Sequence, residues 1–190
     1  LGQDLLVKFG EAVTAPVKDN VAYEPVRSGY KFTGWNPAEL GKMDDINGKT
    51  YEATWAPLGG IQYTVETYTQ KVTGDGYEVS SKPESGTTGE VITLTPTAPN
   101  GFTLNTEESV LTGTVNAEDE LILKVVYDRQ SYTVKTVVDD KEKSSTSYLY
   151  GATVVAPTAP SQTGYTFSGW TWTNEAGEAI SVPTTMPAYN

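Results

Sequence analysis

Pro25-Val26-Arg27-Ser28-Gly29-Tyr30-Lys31-Phe32-Thr33-Gly34-Trp35 recurs without a gap as Pro160-Ser161-Gln162-Thr163-Gly164-Tyr165-Thr166-Phe167-Ser168-Gly169-Trp170. The shared pattern is P-x-x-x-G-Y-x-F-x-G-W. Upstream, Gly10-Glu11-Ala12-Val13-Thr14-Ala15-Pro16 aligns with Gly151-Ala152-Thr153-Val154-Val155-Ala156-Pro157, and a loop insertion lengthens the first copy between the two blocks. A more diverged copy lies between them. There Gly89-Glu90-Val91-Ile92-Thr93 stands for the Gly10 block and Gly101-Phe102-Thr103-Leu104 for Gly-Tyr-x-Phe. The same number of positions separates Gly29 from Gly101 and Trp55 from Tyr127, the ends of two strand-like runs. Tyr63-Thr64-Val65-Glu66-Thr67 and Tyr132-Thr133-Val134-Lys135-Thr136 open the second and third copies. Landmarks in constant order define a tandem array of units of about 70 residues.

The residues inside each unit read as strands. Tyr63 to Tyr68 alternates Tyr, Val and Thr, Leu121 to Tyr127 is a β-branched run suited to a buried strand, and Tyr51 to Trp55 is its counterpart in the first copy. Ile46-Asn47-Gly48-Lys49 carries the Asn-Gly pair of a type I′ hairpin turn. Tyr30 and Phe32 share a strand face, and Gly34 marks a bulge or close approach that turns Trp35 inward. Helix is confined to one turn at Pro37 to Leu40, capped by Asn36, and a similar stretch at Asn105 to Val110. The expected modules are residues 1–57, 58–129 and 130–190, the first without its opening strand and the third without its closing one. The chain begins at a Leu and reads as part of a longer polypeptide, either divided inside two units, the commoner reading, or with its missing strands supplied by a neighbouring chain.

Composition excludes much chemistry. Of 190 residues none is Cys or His, so Ser-His-Asp and Cys-His catalysis, disulfides, iron–sulfur clusters and His- or Cys-ligated zinc are ruled out. With 24 Asp+Glu against 13 Lys+Arg, net charge −11, the chain repels nucleic acid. Its apolar runs are too short to span a bilayer, so membrane insertion is not expected. Tyr (12), Gly (18) and Pro (11), with abundant Thr and Val, suit strands and turns.

At the Gly-Tyr-x-Phe-x-Gly-Trp motif the first and third copies resemble the Listeria–Bacteroides repeat, or internalin-type B-repeat, of bacterial surface proteins. Residues 150–157, 164–170 and 185–190 carry the likeness. The middle copy resembles the mucin-binding-protein-like relatives of that unit, through Gly86-Thr87-Thr88-Gly89-Glu90 and Ser109 to Val115. The resemblance implies a mostly β (α+β) fold of small β-grasp-like modules, each a mixed sheet with at most a short helix. It also implies export, attachment to a cell envelope through other regions, and a stalk or adhesive role, with no binding site carried over.

Each chemical constellation has a plainer structural reading. The repeated aromatics are the cores of modules with few other large side chains, in preference to a sugar platform. Trp172 has no equivalent in the first copy, where Pro37 takes its place, and with Tyr148 and Tyr189 it forms the candidate ligand-binding set. Asp44-Asp45, Glu107-Glu108, Glu118-Asp119-Glu120 and Asp139-Asp140 read as solvated turns, not a catalytic pair. Asp44 to Gly48 lacks the order of a calcium loop, and the hairpin explains it better. Lys8, Lys124 and Lys135 are candidates for a Lys–Asn cross-link, against the commoner solvent-facing strand lysine. No cofactor or metal is expected. Most net negative charge lies in the middle segment, the part suited to a basic partner.

At the joints, Pro57 stiffens and Gly59-Gly60 loosens the first, while the second is short enough for two modules nearly to touch. The expected function is non-catalytic: a monomeric stalk or spacer segment of an extracellular surface protein, part of an adhesin. The alternative is direct binding of a host or neighbouring-cell glycan, mucin or protein. A more remote one is an accessory region of a secreted carbohydrate-active enzyme.

Overall fold

The structure, a computed structural model, describes residues 6–188 except 16, 19, 20, 46 and 47. The strands in chain order are β1 (Val17–Lys18), β2 (Val21–Ala22), β3 (Tyr30–Asn36), β4 (Glu52–Pro57), β5 (Ile61–Gln70), β6 (Tyr77–Gly86), β7 (Val91–Thr93), β8 (Phe102–Leu104), β9 (Thr112–Thr114), β10 (Leu121–Arg129), β11 (Ser131–Val138), β12 (Lys141–Leu149), β13 (Trp172–Thr173) and β14 (Ala179–Ile180). Among the described residues there is no helix. The fold is mostly β, as expected. The chain parts into two compact units: residues 1–64, 83–93 and 112–122, and residues 65–82, 94–111 and 123–190.

The largest sheet has the order β6-β5-β10-β8, and the remaining strands pair two by two. β8 runs antiparallel to β10. β5 and β10 run in the same direction, because contacts match start with start and end with end. Thr64 donates to Glu120 at 2.8 Å at one end, and the Arg129 N–H donates to the Gln70 side chain at 2.8 Å at the other. The middle copy therefore contains a mixed sheet. Its central strand β10 is covered on both faces: Val125, Val126 and Tyr127 are buried in succession, and Leu123 is 0% exposed.

Backbone geometry repeats where the sequence repeats. In the first copy Gly10 N–H donates to Met43 O, Met43 N–H to Glu11 O and Val13 N–H to Gly41 O. In the third, Gly151 donates to Met186, Met186 to Ala152 and Val154 to Thr184. In the middle copy Gly89 donates to Val115 and Val115 to Glu90, and the pairing runs on as β7 with β9. Met186 and Val115 are both buried at this shared position. The aromatic motif opens identically in all three copies. Tyr30 donates to Arg27 O, Phe102 to Pro99 O and Tyr165 to Gln162 O, with Gly29, Gly101 and Gly164 at φ 74°, 84° and 81°. A positive φ at the third position of a four-residue turn is what selects glycine there.

Several local expectations change. Residues 37–40 form a bend and no helix, because the chain is drawn past Gly41 to Met43 into pairing with Glu11 to Val13. The Tyr51 hydroxyl bonds to Leu40 O in the same stretch. Asn105 to Ser109 closes one hydrogen-bonded turn, Ser109 N–H to Asn105 O, with the Asn105 side chain accepting from Glu107 and Glu108. At the Asn47-Gly48 turn, Asn47 lies outside the described residues. A two-residue positive-φ turn sits instead at Asp139 (51°) and Asp140 (59°), closing β11 onto β12. Phe32 and Gly34 flank the expected bulge in β3.

One carboxylate ties three segments. Asp128 on β10 accepts the Tyr77 hydroxyl of β6 at 2.6 Å and the Asn105 amide at 2.7 Å. The charge and hydrogen bond of Asp128 push the Tyr77 phenol up to about 12 from 10.0, with burial adding to the shift. A phenol whose folded value is raised contributes stability that is present below its unfolded value and vanishes as pH rises through the folded one. The Tyr77 contribution is therefore complete below pH 10.0 and lost by about pH 12. We expect Tyr77→Phe to be less stable than wild type at pH 9 and to differ from it little near pH 12, read by urea denaturation at both values.

Candidate functional site

A tandem array acts through its joints and its uncovered edges. In the first unit, Leu58 follows β4 immediately. Its N–H donates to Gly29 O at 2.8 Å, and its own carbonyl accepts Thr88 N–H at 2.9 Å. In the second unit, Gln130 follows β10 in the same way. Its N–H donates to Gly101 O at 2.8 Å, and its carbonyl accepts Tyr150 N–H at 2.8 Å. Thr88 and Tyr150 each precede the first glycine of the repeated glycine block, Gly89 or Gly151. The two joints are thus one device made twice. The peptide unit after β4 or β10 bridges the aromatic turn before it to the turn that follows β6 or β12.

The glycine is required for proximity as well as conformation. A Cβ on Gly29 would lie 2.7 Å from Thr88 Oγ1 and 2.8 Å from the Ala117 methyl; on Gly101 it would lie 2.5 Å from the Tyr150 ring. Tyr150 also meets Phe102 edge-on, with centroids 5.5 Å apart. The second joint carries more. A Cβ on Gly151 would meet Val72 at 2.3 Å, and Arg129 secures that turn through Nη1 to Val72 O at 2.6 Å. Nothing lies within 4 Å of the Cβ position at Gly89, its counterpart. The near-touching expected of the second joint is seen. The first, despite Gly59-Gly60, carries the same two backbone bonds.

Other candidates take clear positions. Tyr148, half-buried on β12, lines a groove of about 420 Å³ with Val134, Thr136, Val155 and Trp170. Trp170 Nε1 donates to Pro157 O at 3.0 Å. Trp172 is half-buried on β13 opposite Ile180 and does not line that groove. Tyr189 lies outside the described residues. Among the described residues of the third copy the exposed aromatics are Tyr165 (76%) and Phe167 (39%), where the sequence predicts a core.

Charged candidates pair among themselves. Lys124 approaches Glu108 at 4.0 Å and sits 4.8 Å above the Tyr68 ring, Lys135 pairs with Glu142 at 3.5 Å, and Lys8 is exposed. Asp44 pairs with Lys49 at 2.6 Å, and that hydrogen bond holds the carboxyl below its usual value. Among the described residues no three Asp or Glu cluster as a metal site would need. Sequence reasoning missed the joint residues Leu58, Thr88, Gln130 and Tyr150. The signal present was the place of Leu58 and Gln130 directly after the last strand-like run of a copy, and of Thr88 and Tyr150 directly before a repeated glycine.

Two expectations follow from the joints. Gly101→Ala should lose about 2–4 kcal/mol in urea denaturation, combining left-handed strain and overlap with Tyr150. Adding Tyr150→Ala removes the overlap and should leave a loss attributable to Gly101 of about 1–2 kcal/mol. Thr88 Oγ1 is buried without a hydrogen-bond partner. Thr88→Val should therefore be neutral or stabilise by about 1 kcal/mol, where a functional hydroxyl would cost stability on removal.

Residues 3–55 and 124–190 match the model of the Listeria-Bacteroides repeat domain, and the stretch between them is not covered by that match. A protein named as a Gly-rich membrane protein in Evansella cellulosilytica is 23% identical over 176 residues, covering 82% of this chain. The aligned part is 20% of that relative, so the chain spans about one fifth of its length. No solved structure matches the chain. Among the described residues no helix is long and apolar enough to cross a membrane. With more than half of its residues inside the two matched segments, the chain belongs to the Listeria-Bacteroides repeat domain family.

Proposed function

We propose that this chain is a non-catalytic spacer in a bacterial cell-surface protein, its modules strung in series to hold other regions of an adhesin away from the envelope. The observation that carries this reading is the joint: the same two backbone hydrogen bonds recur at Gly29-Leu58-Thr88 and Gly101-Gln130-Tyr150. Bonds from one module to the next restrict bending, which a spacer needs and a flexible linker lacks. Family membership and the likeness to a membrane protein support an envelope location, with the chain itself outside the cell. Under this reading the middle copy is the mucin-binding-protein-like module, related to its neighbours through the shared Gly89–Val115 pairing. The net charge of −11 keeps such an array soluble.

A second reading, direct binding of a glycan, mucin or protein, is favoured by the exposed Tyr165 and by the groove that Tyr148 shares with Trp170. The purified chain on a broad glycan and mucin array separates the two. The spacer reading expects no binding by folded protein. Binding that Tyr148→Ala abolishes and Trp172→Ala leaves intact would replace it with the adhesin reading and locate the site in the groove.

A further inference from the structure

The glycine that heads each aromatic motif follows Ser28 in the first copy, Thr163 in the third and Asn100 in the middle one. The turn itself is the same in all three, with positive φ at the glycine and a closing bond to Arg27 O, Gln162 O or Pro99 O. What Asn100 brings to it is a side-chain amide. In an Asn-Gly pair that amide lies beside a backbone nitrogen whose approach no Cβ crowds. At Gly101 the glycine cannot be exchanged to prevent this, because its φ is 84° and a Cβ would lie 2.5 Å from the Tyr150 ring.

Other asparagines are held at both ends of the amide. Asn105 donates to Asp128 at 2.7 Å and accepts from Glu107 and Glu108 N–H. Asn116 donates to Asp119 at 3.5 Å and accepts from Glu118 N–H. Asn174 donates to the Glu178 carboxylate at 2.8 Å and accepts from its N–H at 2.9 Å. Each of these three also precedes a residue with a side chain, and Asn36 precedes Pro37, which has no N–H to give up. Asn100 differs on every count. It is exposed, and among the described residues neither its side chain nor the Gly101 N–H makes a hydrogen bond. Asn47-Gly48 is the chain's other such pair, and Asn47 lies outside the described residues.

We infer that Asn100-Gly101 is a self-modifying site whose conversion to isoaspartate opens the second joint. The Gly101 nitrogen gives its proton to hydroxide and bonds to Asn100 Cγ. The Cγ–Nδ2 bond breaks and, taking a proton from water, the side-chain nitrogen leaves as ammonia. Water then opens the succinimide ring. Cleavage at Cγ yields aspartate on an ordinary main chain, and cleavage at the α-carbonyl carbon yields isoaspartate, whose main chain runs through Cβ and Cγ and is one atom longer. Both products add a negative charge, but isoaspartate alone changes the path. The extra atom falls inside the turn that Phe102 N–H closes onto Pro99 O at 3.0 Å. It displaces the Gly101 carbonyl from the Gln130 N–H, which donates to it at 2.8 Å. Water is the sole co-reactant, so the second joint carries its own clock, and the first, with Ser28 at this position, carries none.

The test is ageing of the whole chain in mildly alkaline buffer beside a capped peptide spanning Pro96 to Leu104, with peptide mapping by mass spectrometry that separates isoaspartate from aspartate. Asn100 should convert within about tenfold of the peptide's rate, with isoaspartate in excess and Asn105, Asn116 and Asn174 intact over the same interval. Asn100 still intact when the peptide has fully converted would overturn the site. Amide hydrogen exchange reads the joint. In the aged chain the Gln130 and Tyr150 amides should exchange at least about tenfold faster than in fresh chain, with Leu58 and Thr88 unmoved. Aged Asn100→Ser, which carries the residue of the first copy, should exchange as fresh wild type does. So should fresh Asn100→Asp, which carries the charge without the extra atom. Unchanged exchange at Gln130 in converted chain, or the same acceleration in fresh Asn100→Asp, would overturn the opening of the joint. Acceleration that persists in aged Asn100→Ser would overturn it too and assign the effect to Asn47, whose conversion is mapped on its own peptide.

Discussion

A single backbone carbonyl, the one belonging to the glycine at the head of the aromatic motif, is the point on which successive modules are hung. Its turn needs positive φ, its module's last strand must end beside it, and the following residue must give it an N–H. Each of these is a local demand, and one glycine meets them because it has no Cβ. Any other residue at Gly101 would strain the turn and push a side chain into the Tyr150 ring. The joint therefore brings the peptide unit after β4 or β10 against the turn that follows β6 or β12. A module of about 70 residues buries too little surface to be generous in stability, so contact of this kind matters more than it would in a large domain.

The two joints share this backbone and differ in what is packed around it. At the first, Thr88 turns a hydroxyl toward Gly29 and leaves it without a partner, beside the Ala117 methyl. At the second, the aromatic Tyr150 covers Gly101 and Phe102, and Val72 fills the space against Gly151. The backbone bonds fix the geometry, while the side chains set the apolar contact area and hence the strength. A polar, small-residue joint and an aromatic joint built on the same bonds thus differ in the apolar contact that surrounds them.

The repeat, the mostly β fold and the bulge at Gly34 were legible in the sequence because they rest on local rules: period, β-branched runs, and glycine at a kink. The pairing of Gly10 with Met43 and Gly151 with Met186 was half legible. The glycine block repeats visibly, but its partner is Met in the first and third copies and Val in the middle one, and apolar identity there is interchangeable. The helix at Pro37 failed because tertiary pairing of Gly41 to Met43 overrode the capping signal. Asp139-Asp140, read as a solvated turn, is one: both residues are exposed and occupy the left-handed region that Asp tolerates. The joints were located in the sequence, but the hydrogen bonds that make them were not legible. They are made by main-chain atoms of Leu58 and Gln130, and no side-chain pattern records where a backbone amide points.

The aromatic segment and the joint are geometrically one feature. Leu58 comes directly after β4 and Gln130 directly after β10, so the strand that pairs with each aromatic segment ends where the joint residue begins. The register that sets Phe32 opposite Trp55 and Leu104 opposite Tyr127 therefore also sets which peptide unit reaches the carbonyl of the turn glycine, and a one-residue slip would spoil the ring contact and the joint together.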